Sequence, residues 1–469
     1  MTENSGKLKK GLKLGYGFGT IGESIAYNTF YLYFIYFLTD FAGISPAVAG
    51  TISLVAVLWD AITDPLIGYL SDSSKNPKGR RRPFILRFAI PLSIMVFVIF
   101  TDFAFITGTA KVVYFFIANI LFWFFFTAAD IPYISLGAEL TDDYNERTSI
   151  RTYATIFNYI GMIAASAGTI TLVDKIGTAV GDAGKGWSYT ALIFGALTFL
   201  AFFVAWRATR GHEKKVETER TKVNMSFIKA YVDSFKIKPY RKILMYTLFF
   251  NAGMMLMSSA MIYLMSYIAV LDEAQIATVF LVYSLMVIGA SFLINALHGK
   301  IEKKWMVVII TAITAVGVLL FRVFDLNHIS IYIYAFFVAL GNAAYFILIW
   351  SMNFDVCEID EFKTGERREG VIMAFMSFFL KFATAIGMAL TGFILDAFGY
   401  NAEVLEQSER ALNGIRDAGT TIPAILIAVS FIFALTYPVT KDKFEALKKA
   451  LELKRAGKEY STDGFEDIL

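Results

Sequence analysis

The sequence predicts an all-α membrane protein with about twelve transmembrane helices, on three grounds. Of the 469 residues, 57% are hydrophobic and only 18% are charged, whereas a soluble protein carries about 25% charged residues. The mean hydropathy is +0.57. Apolar runs of about twenty residues recur from end to end, and each is long enough to cross a bilayer as a helix. These features argue against a soluble protein with a large core.

Twelve apolar runs follow one another along the chain, and each predicts one span. In the first half the spans are predicted at 14–39, 48–72, 83–105, 110–138, 152–173 and 187–207. In the second half they are predicted at 242–270, 275–298, 305–323, 329–356, 368–396 and 420–438. The lipid bilayer is therefore the first partner that the sequence predicts.

The connections between the spans alternate in charge. Those that follow even-numbered spans are rich in Lys and Arg, as in "SKNPKGRRRP" (Ser74–Pro83), and so is the segment before span one. The intervening connections, such as "DFAGISPA" and "LDEAQ", are poor in both. Short cytoplasmic loops are enriched in Lys and Arg. The pattern therefore predicts a multi-pass protein of the cytoplasmic (inner) membrane with both termini in the cytoplasm.

The longest basic segment lies midway and separates six spans from six. It predicts an N-terminal six-helix bundle (1–207), a cytoplasmic middle loop (208–241), a C-terminal six-helix bundle (242–438) and a cytoplasmic tail (439–469). "NERTS" after span four and "GERRE" after span ten occupy equivalent positions of the two halves. They fit an internal duplication, although Glu-Arg pairs are also common in cytoplasmic loops. Transporters built from such repeats bind substrate near the midplane.

Several classes of function lack their usual signals. A net charge of +3 suggests neither a nucleic-acid partner nor an obligate protein partner. The single cysteine, Cys357, excludes an intramolecular disulfide and a cysteine-built metal site. The sequence contains no phosphate-binding loop, nucleotide fingerprint or metal-ligand helix motif. We therefore expect neither a cofactor nor an enzymatic activity. If the protein is a transporter, its energy comes from an ion gradient or from downhill movement of the substrate.

Two carboxylates stand one helical turn apart inside span two. They are Asp60 and Asp64, in "LWDAITDPLIGYLSD", and side chains four residues apart share a helix face. One charge at mid-bilayer costs roughly 2.5–3.5 kcal/mol, and two like charges this close repel each other. A bound monovalent cation or a shared proton would compensate, which indicates ion-coupled transport. Otherwise the pair lies near the membrane edge, facing water or paired with Arg or Lys.

Two further ionisable residues lie inside predicted spans. Asp130 follows Thr127 by one turn in span four. It lies beside the coupling ion or a polar substrate, or it makes a polar contact between helices. Apart from Arg368 at its first position, Lys381 is the only base in span eleven. It requires a carboxylate or a water-filled cavity, and an acid of span two or four is the natural partner. The alternative is that Lys381 snorkels to the interface.

Span one combines an acid with aromatic and amide side chains. Glu23 is followed by Tyr27, Asn28 and Tyr31. Sugars present apolar ring faces that stack on aromatic rings and hydroxyls that form hydrogen bonds, so this stretch favours a sugar. Aromatic residues are nevertheless frequent throughout, and most of them face lipid or pack helices.

Charged residues gather where spans two and ten approach the cytoplasm. They form networks that hold one conformation shut and break in the other, or they are solvated loop charges. The predicted members are Asp72, Arg80, Arg81, Asp355, Glu358 and Arg367.

Five segments resemble the glycoside–pentoside–hexuronide:cation symporters. They are "LGYGFGTIGESIAYNTFYLYFIYFLTD", "LWDAITDPLIGYLSD", "GRRRPFIL", "AADIPYISL" and "FDVCEIDEFKTGERREG". The resemblance runs along nearly the whole chain in the right order. It implies the major facilitator fold, in which two six-helix bundles rock around a central cavity.

The resemblance also implies a cation site in span two. The paired aspartates of the family match Asp60 and Asp64, and Thr127 is a further ligand. Thr63 stands where the best-known member has an asparagine. The cation site of the family therefore transfers to this chain.

The substrate site transfers only in part. The helix-four aspartate, a sugar contact, matches Asp130, and the helix-eleven lysine matches Lys381. The acid of helix one is displaced to Glu23 or lost, and the helix-four tryptophan aligns with Ile134. The arginine of helix five has no clean match, Arg151 being the closest. This pattern suggests another substrate, such as a different glycoside, a pentoside or an acidic sugar.

The leading hypothesis is symport of a sugar or glycoside, coupled to Na⁺ or H⁺, by alternating access. One alternative is an uncoupled permease or a membrane sensor. Another is a carrier of a non-sugar substrate, such as a lipid-like molecule or an organic anion. A membrane-embedded enzyme is disfavoured because the sequence offers no Ser–His, Cys–His or metal constellation.

Overall fold

The computed structural model describes residues 8–72, 74, 76, 79, 81–141, 144–212, 232–297, 300–365, 369–404 and 406–469. Within these ranges the chain is helical and contains no β-strand. The helices of the first part are α1 (Lys10–Asp40), α2 (Pro46–Asp72), α3 (Arg82–Ile99), α4 (Thr109–Glu139), α5 (Tyr144–Ile163), α6 (Thr169–Val180) and α7 (Ala183–Ala208). Those of the second part are α8 (Lys238–Tyr263), α9 (Glu273–Leu297), α10 (Lys303–Leu320), α11 (Ser330–Ala344), α12 (Trp350–Thr364), α13 (Glu369–Ala397), α14 (Glu409–Arg416), α15 (Ile422–Leu435) and α16 (Lys441–Arg455).

Four short π-helical segments extend or join these helices. Such segments contain one residue more per turn than the α-helix on either side. One joins α5 to α6, one follows α8, one joins α11 to α12 and one joins α14 to α15. Their bounds are Ala164–Gly168, Leu264–Ile268, Tyr345–Ile349 and Asp417–Thr421.

Eleven helical segments of the described ranges are long and apolar enough to cross a membrane. They correspond in order to predicted spans two to twelve. The helix α1 matches predicted span one in position and has 31 residues. It is less apolar because glycine, hydroxyl and charged residues interrupt it. The prediction of an all-α, multi-pass membrane protein is confirmed.

Three predicted spans are too short. The fifth continues to Val180, the tenth continues to Thr364, and the twelfth begins at Glu409. The predicted fifth and tenth spans end shortly before Asp174 and Glu358, and the predicted twelfth begins after Asp417. A helix continues as long as its backbone hydrogen bonds are made, and charged side chains at its end can reach water.

The chain forms two compact units. The first contains residues 1–221, 271–284 and 395–408, and the second contains 222–270, 285–394 and 409–469. The predicted division into bundles of residues 1–207 and 242–438, with a middle loop and a tail, stays a prediction.

In the first unit, α1 packs against α5 and α7, and α2 packs against α4. Small residues permit the close approach of α1 to its neighbours. A Cβ atom added at Gly22 would lie 2.9 Å from the carbonyl oxygen of Thr198 on α7. One added at Gly161 on α5 would lie 2.7 Å from Cβ of Ser24. These contacts fix the side of α1 that faces α2 and α4.

In the second unit, α15 packs against α8 and α10, and α16 packs against α12. The helix α16 places apolar residues inward: Leu447 and Leu451 are buried. Arg455 at its end binds Glu361 of α12 through two nitrogens, at 2.7 and 2.6 Å. The tail is therefore folded onto the helical core of this unit.

Candidate functional site

The two span-two carboxylates meet a hydroxyl from α4. Asp60 is 1% exposed, and Asp64 is half-buried one turn further along α2. Thr127 of α4 places its Oγ1 within hydrogen-bonding distance of Asp60 Oδ1 and 3.1 Å from Asp64 Oδ1. We call these three atoms the oxygen cluster. It forms because α2 packs on α4 and because residues 60 and 64 share one face.

The hydroxyl of Thr127 cannot satisfy both carboxylates. It carries one proton, so it donates to one oxygen at a time. The other carboxylate oxygen faces a lone pair of the same hydroxyl. A proton on one carboxyl group, or a cation between the oxygens, would remove this conflict. Oxygen ligands of this kind suit a hard cation such as Na⁺. Both options match the predicted coupling ions.

Thr63 is buried beside the cluster and bonds to its own helix. Its hydroxyl lies 3.1 Å from the carbonyl oxygen of Asp60, to which it donates. The residue is 2% exposed. The hydroxyl proton of Thr63 therefore forms a hydrogen bond within α2, while its oxygen can still accept a hydrogen bond or bind a cation.

Two tyrosines of α1 adjoin the oxygen cluster. Tyr31 is 7% exposed, forms a hydrogen bond with Tyr27 and lies within electrostatic reach of both Asp60 and Asp64. The ring centroids of the two tyrosines are 4.3 Å apart. Tyr27 is 39% exposed. The partly exposed ring of Tyr27 thus packs on a tyrosine that lies within electrostatic reach of the carboxylates.

The sequence reasoning missed Trp123. This residue of α4 is 1% exposed and lies one turn before Thr127. Its ring centroid is 5.5 Å from that of Tyr31 and 6.1 Å from that of Tyr27. In the described part of the chain its Nε1 has no hydrogen-bond partner. The signal available in the sequence was its spacing of four residues from Thr127, which puts both on one face of α4.

The other predicted substrate residues lie on several helices. Asp130 is 7% exposed and follows Thr127 by one turn on α4. Glu23 is half-buried on α1. The side chain of Arg151 lies outside the described residues. Lys381 is half-buried on α13 of the second unit. Its pairing with an acid of span two or four stays a prediction.

Part of the predicted charge network lies outside the described residues. This holds for the side chain of Asp72 and for all of Arg80 and Arg367. Arg81 is buried at the start of α3. The remaining members, Asp355 and Glu358, are half-buried on α12.

Asp355 is bound to a lysine that the sequence reasoning missed. Nζ of Lys303, the first residue of α10, lies 2.9 and 2.8 Å from the two carboxylate oxygens. The residues are 52 positions apart in the chain, so neither periodicity nor loop composition points to the pair. It is formed by the fold of the second unit alone.

Residues 15–441 match the model of the MFS/sugar transport protein family. The chain is 28% identical to the putative glycoside/cation symporter YagG of Escherichia coli, over 95% of both chains. It is 28% identical to the isoprimeverose transporter of Lactiplantibacillus pentosus, over 95% of this chain and 91% of the relative. It is 27% identical to the putative sulfoquinovose importer of E. coli, over 97% and 96%.

Solved structures share the fold at low sequence identity. The nucleoside transporter NupG superimposes with a TM-score of 0.67 at 13% identity, over 93% of this chain and 99% of that one. A bacterial homologue of the human lysosomal transporter Spinster gives 0.64 at 14% identity, over 91% and 96%. The architecture is therefore that of known membrane transporters, with the major facilitator fold.

Proposed function

Because this chain belongs to the MFS/sugar transport protein family, we propose that it carries a sugar or glycoside across the cytoplasmic membrane together with Na⁺ or H⁺. The oxygen cluster is the observation that carries this proposal. Two carboxylates and one hydroxyl converge inside the protein, and the hydroxyl proton can serve only one of them. A mobile cation completes such a cluster.

The coupling follows from the cost of enclosing charge. A conformational change that encloses two ionised carboxylates at the depth of the membrane costs free energy. A Na⁺ or H⁺ bound at Asp60 and Asp64 lowers the net charge and so lowers that cost. If the substrate binds better to the cation-loaded protein, the cation must bind better to the substrate-loaded protein by the same factor. A protein that carries only the cation or only the substrate changes conformation slowly.

The substrate class rests on the relatives and on the aromatic face of α1. Three similar proteins are described by their names as carriers of a glycoside, of isoprimeverose and of sulfoquinovose. In this chain, Tyr27 and Tyr31 present rings beside the oxygen cluster, and we assign them to the apolar face of a sugar. We assign Asp130 to its hydroxyls. Glu23, Lys381 and Arg151 are proposed as further substrate contacts.

The orientation and the gating charges belong to the same proposal. The basic connections favour cytoplasmic termini. They also favour a cytoplasmic location for Asp355 and Lys303, whose ion pair spans α10 and α12. Asp72, Arg80, Arg81, Glu358 and Arg367 are proposed as the other members of the gating charge network.

Uptake into proteoliposomes tests the proposal. A panel of glycosides, pentoses and uronic acids is offered with an inward Na⁺ gradient, with an inward proton gradient and with neither. We expect one gradient to drive accumulation above equilibrium for at least one sugar. Equal uptake under all three conditions would make the protein an uncoupled permease and would remove the role assigned to the oxygen cluster.

A further inference from the structure

Two helices from the second half of the sequence reach into the first unit. That unit includes residues 271–284, which contain the start of α9, and residues 395–408, which contain the end of α13. The rest of both helices belongs to the second unit. The predicted topology puts these two ends on the side opposite to the connections rich in Lys and Arg. Contacts at these ends therefore join elements from both halves of the sequence.

One of these contacts is a hydrogen bond to the end of α1. The hydroxyl of Tyr400 donates to Oδ1 of Asp40, the last residue of α1, at 2.5 Å. Oδ2 of the same carboxylate lies 2.5 Å from the hydroxyl of Thr39. These distances are typical of a hydroxyl that donates to an ionised carboxylate. The dipole of a helix disfavours negative charge at its C-terminal end, so this carboxylate depends on its donors.

The position of Tyr400 is fixed by the way in which α13 ends. Gly399 has a φ of +79°, and the N–H of Tyr400 donates to the carbonyl oxygen of Leu395 at 2.9 Å, as in a Schellman motif. The start of α9 is equally defined, because the side chains of Asp272 and Gln275 each accept a hydrogen bond from the other residue's backbone. Separating these ends from α1 therefore requires the helices to move, and not only a loop.

A second contact lies on the same side of α1. The rings of Phe280 and Tyr33 meet edge to face, with their centroids 5.7 Å apart. Phe280 is 1% exposed and Tyr33 is 0% exposed. Tyr33 and Asp40 are seven residues apart, which places them on one side of the helix. This side of α1 thus has a polar contact at its end and a buried apolar contact about 10 Å further along the helix.

We propose that the hydrogen bond between Tyr400 and Asp40 is a latch that keeps this side of the protein shut. The inference rests on the proposed function, since alternating access requires the side that faces the outside to open and close. When the bond breaks, α9 and the end of α13 can move away from α1, and substrate can enter. A hydrogen bond to a charged group shifts an equilibrium by about 10- to 100-fold, which favours the shut form without making it permanent.

Thiol labelling at a buried position measures the opening. Ser284 of α9 lies one turn beyond Phe280, on the same face, and is 0% exposed. Ser284→Cys therefore provides a thiol that stays covered while the latch holds. The background is Cys357→Ala, which removes the single native cysteine. A membrane-impermeant sulfonated maleimide is added outside intact bacterial cells that contain the full-length protein, and the rate of labelling is measured.

We expect Tyr400→Phe to raise the rate of labelling about 10- to 100-fold. Asp40→Asn should raise it less, because an amide oxygen still accepts, and should add nothing to Tyr400→Phe, because both substitutions act on one bond. The matched control is Tyr189→Phe on α7, where the tyrosine is 46% exposed, and it should leave the rate unchanged. A second reporter, Ser430→Cys, replaces a serine of α15 that is also 0% exposed. It should be labelled slowly in every variant.

The assignment fails in three cases. The first is an unchanged rate of labelling in Tyr400→Phe. The second is an equal rise for the Ser430→Cys reporter, which would mean that the substitution loosens the whole protein. The third is labelling that occurs only when the reagent reaches the cytoplasmic side, in inside-out vesicles.

The labelling assay separates a failure of the latch from a failure of the proposed function, because it needs neither a sugar nor a cation gradient. Faster labelling of Tyr400→Phe, together with sugar uptake that is equal with and without gradients, would keep the latch and discard the coupling. Gradient-driven uptake with unchanged labelling would keep the proposed function and discard the latch.

Discussion

Carboxylates in two regions of the molecule have different polar neighbours. In the oxygen cluster, Asp60 and Asp64 lie beside the hydroxyl of Thr127. On α12, both oxygens of Asp355 lie within 2.9 Å of the ammonium group of Lys303. An ammonium group neutralises a carboxylate for as long as the pair lasts, whereas a hydroxyl leaves its charge in place. In our proposal, Asp355 serves a gating ion pair, whereas Asp60 and Asp64 bind the coupling cation.

The largest effect is expected when a carboxylate of the oxygen cluster is removed. Asp60→Asn keeps the size of the side chain but deletes the charge that attracts the cation. We expect gradient-driven accumulation to be abolished, with substrate exchange partly retained, and cation activation weakened about 10- to 100-fold. Asp64→Asn should behave in the same way. Uptake and exchange in proteoliposomes measure both quantities.

A matched control for this variant is Asp325→Asn, since the side chain of Asp325 is 88% exposed. Its accumulation should equal that of the unmodified protein. Full accumulation in both Asp60→Asn and Asp64→Asn would show that the cluster is not the cation site.

A smaller effect is expected when the hydroxyl is removed. Thr127→Val keeps the shape of the side chain and deletes one oxygen ligand, and the loss of one such bond corresponds to about 10-fold weaker cation activation. Thr127→Ser retains the oxygen and should stay close to the unmodified protein. The cation concentration at half-maximal uptake is the measurement. Identical values for the valine and serine variants would contradict the role of the hydroxyl.

The Lys303–Asp355 pair on the other side of the comparison should affect stability and the rate of switching, but not the binding of the cation. Lys303→Gln removes a partly exposed ion pair, so we expect a loss of about 1 kcal/mol in the free energy of unfolding. The cation concentration at half-maximal uptake should not change. A double-mutant cycle with Asp355→Asn isolates the pair from other effects of each substitution. A changed cation dependence would erase the distinction between the two regions.

The smallest effect concerns a third, exposed pair in the tail. Lys443 Nζ lies 2.6 Å from Asp467, and this hydrogen bond lowers the pKa of that carboxyl group. Because the folded pKa is depressed, the stabilisation is present above the ordinary value of about 3.9 and is lost as the pH falls through the folded value. Lys443→Gln should therefore lower the melting temperature slightly at neutral pH and not in strong acid. A difference that persists in acid would assign the effect to packing.

Much of the fold and the core of the candidate site follow from the sequence. Apolar runs define the helices because lipid requires each span to satisfy its own backbone hydrogen bonds. Asp60 and Asp64 are recognisable because charge inside an apolar run is costly and the spacing of four puts them on one face. Thr127 becomes a candidate once Asp130 draws attention to span four.

The remaining features depend on contacts between distant helices. With 45 Phe, 24 Tyr and 6 Trp in the chain, the spacing of Trp123 from Thr127 is not enough to separate it from rings that only pack helices. The partner of Asp355 is also invisible, since Lys303 sits at the start of another helix. Both require the packing of whole helices to be known.

The π-helical segment before α12 sets the angular phase of every residue that follows it. One residue inserted into a helical turn advances the helix by about 100° around its axis. The side of α12 that carries Asp355 is thus chosen by Tyr345–Ile349, ahead of any interaction made by the acid itself. Excising a single residue from that stretch would swing Asp355 away from Lys303 while leaving the composition of the span almost unaltered.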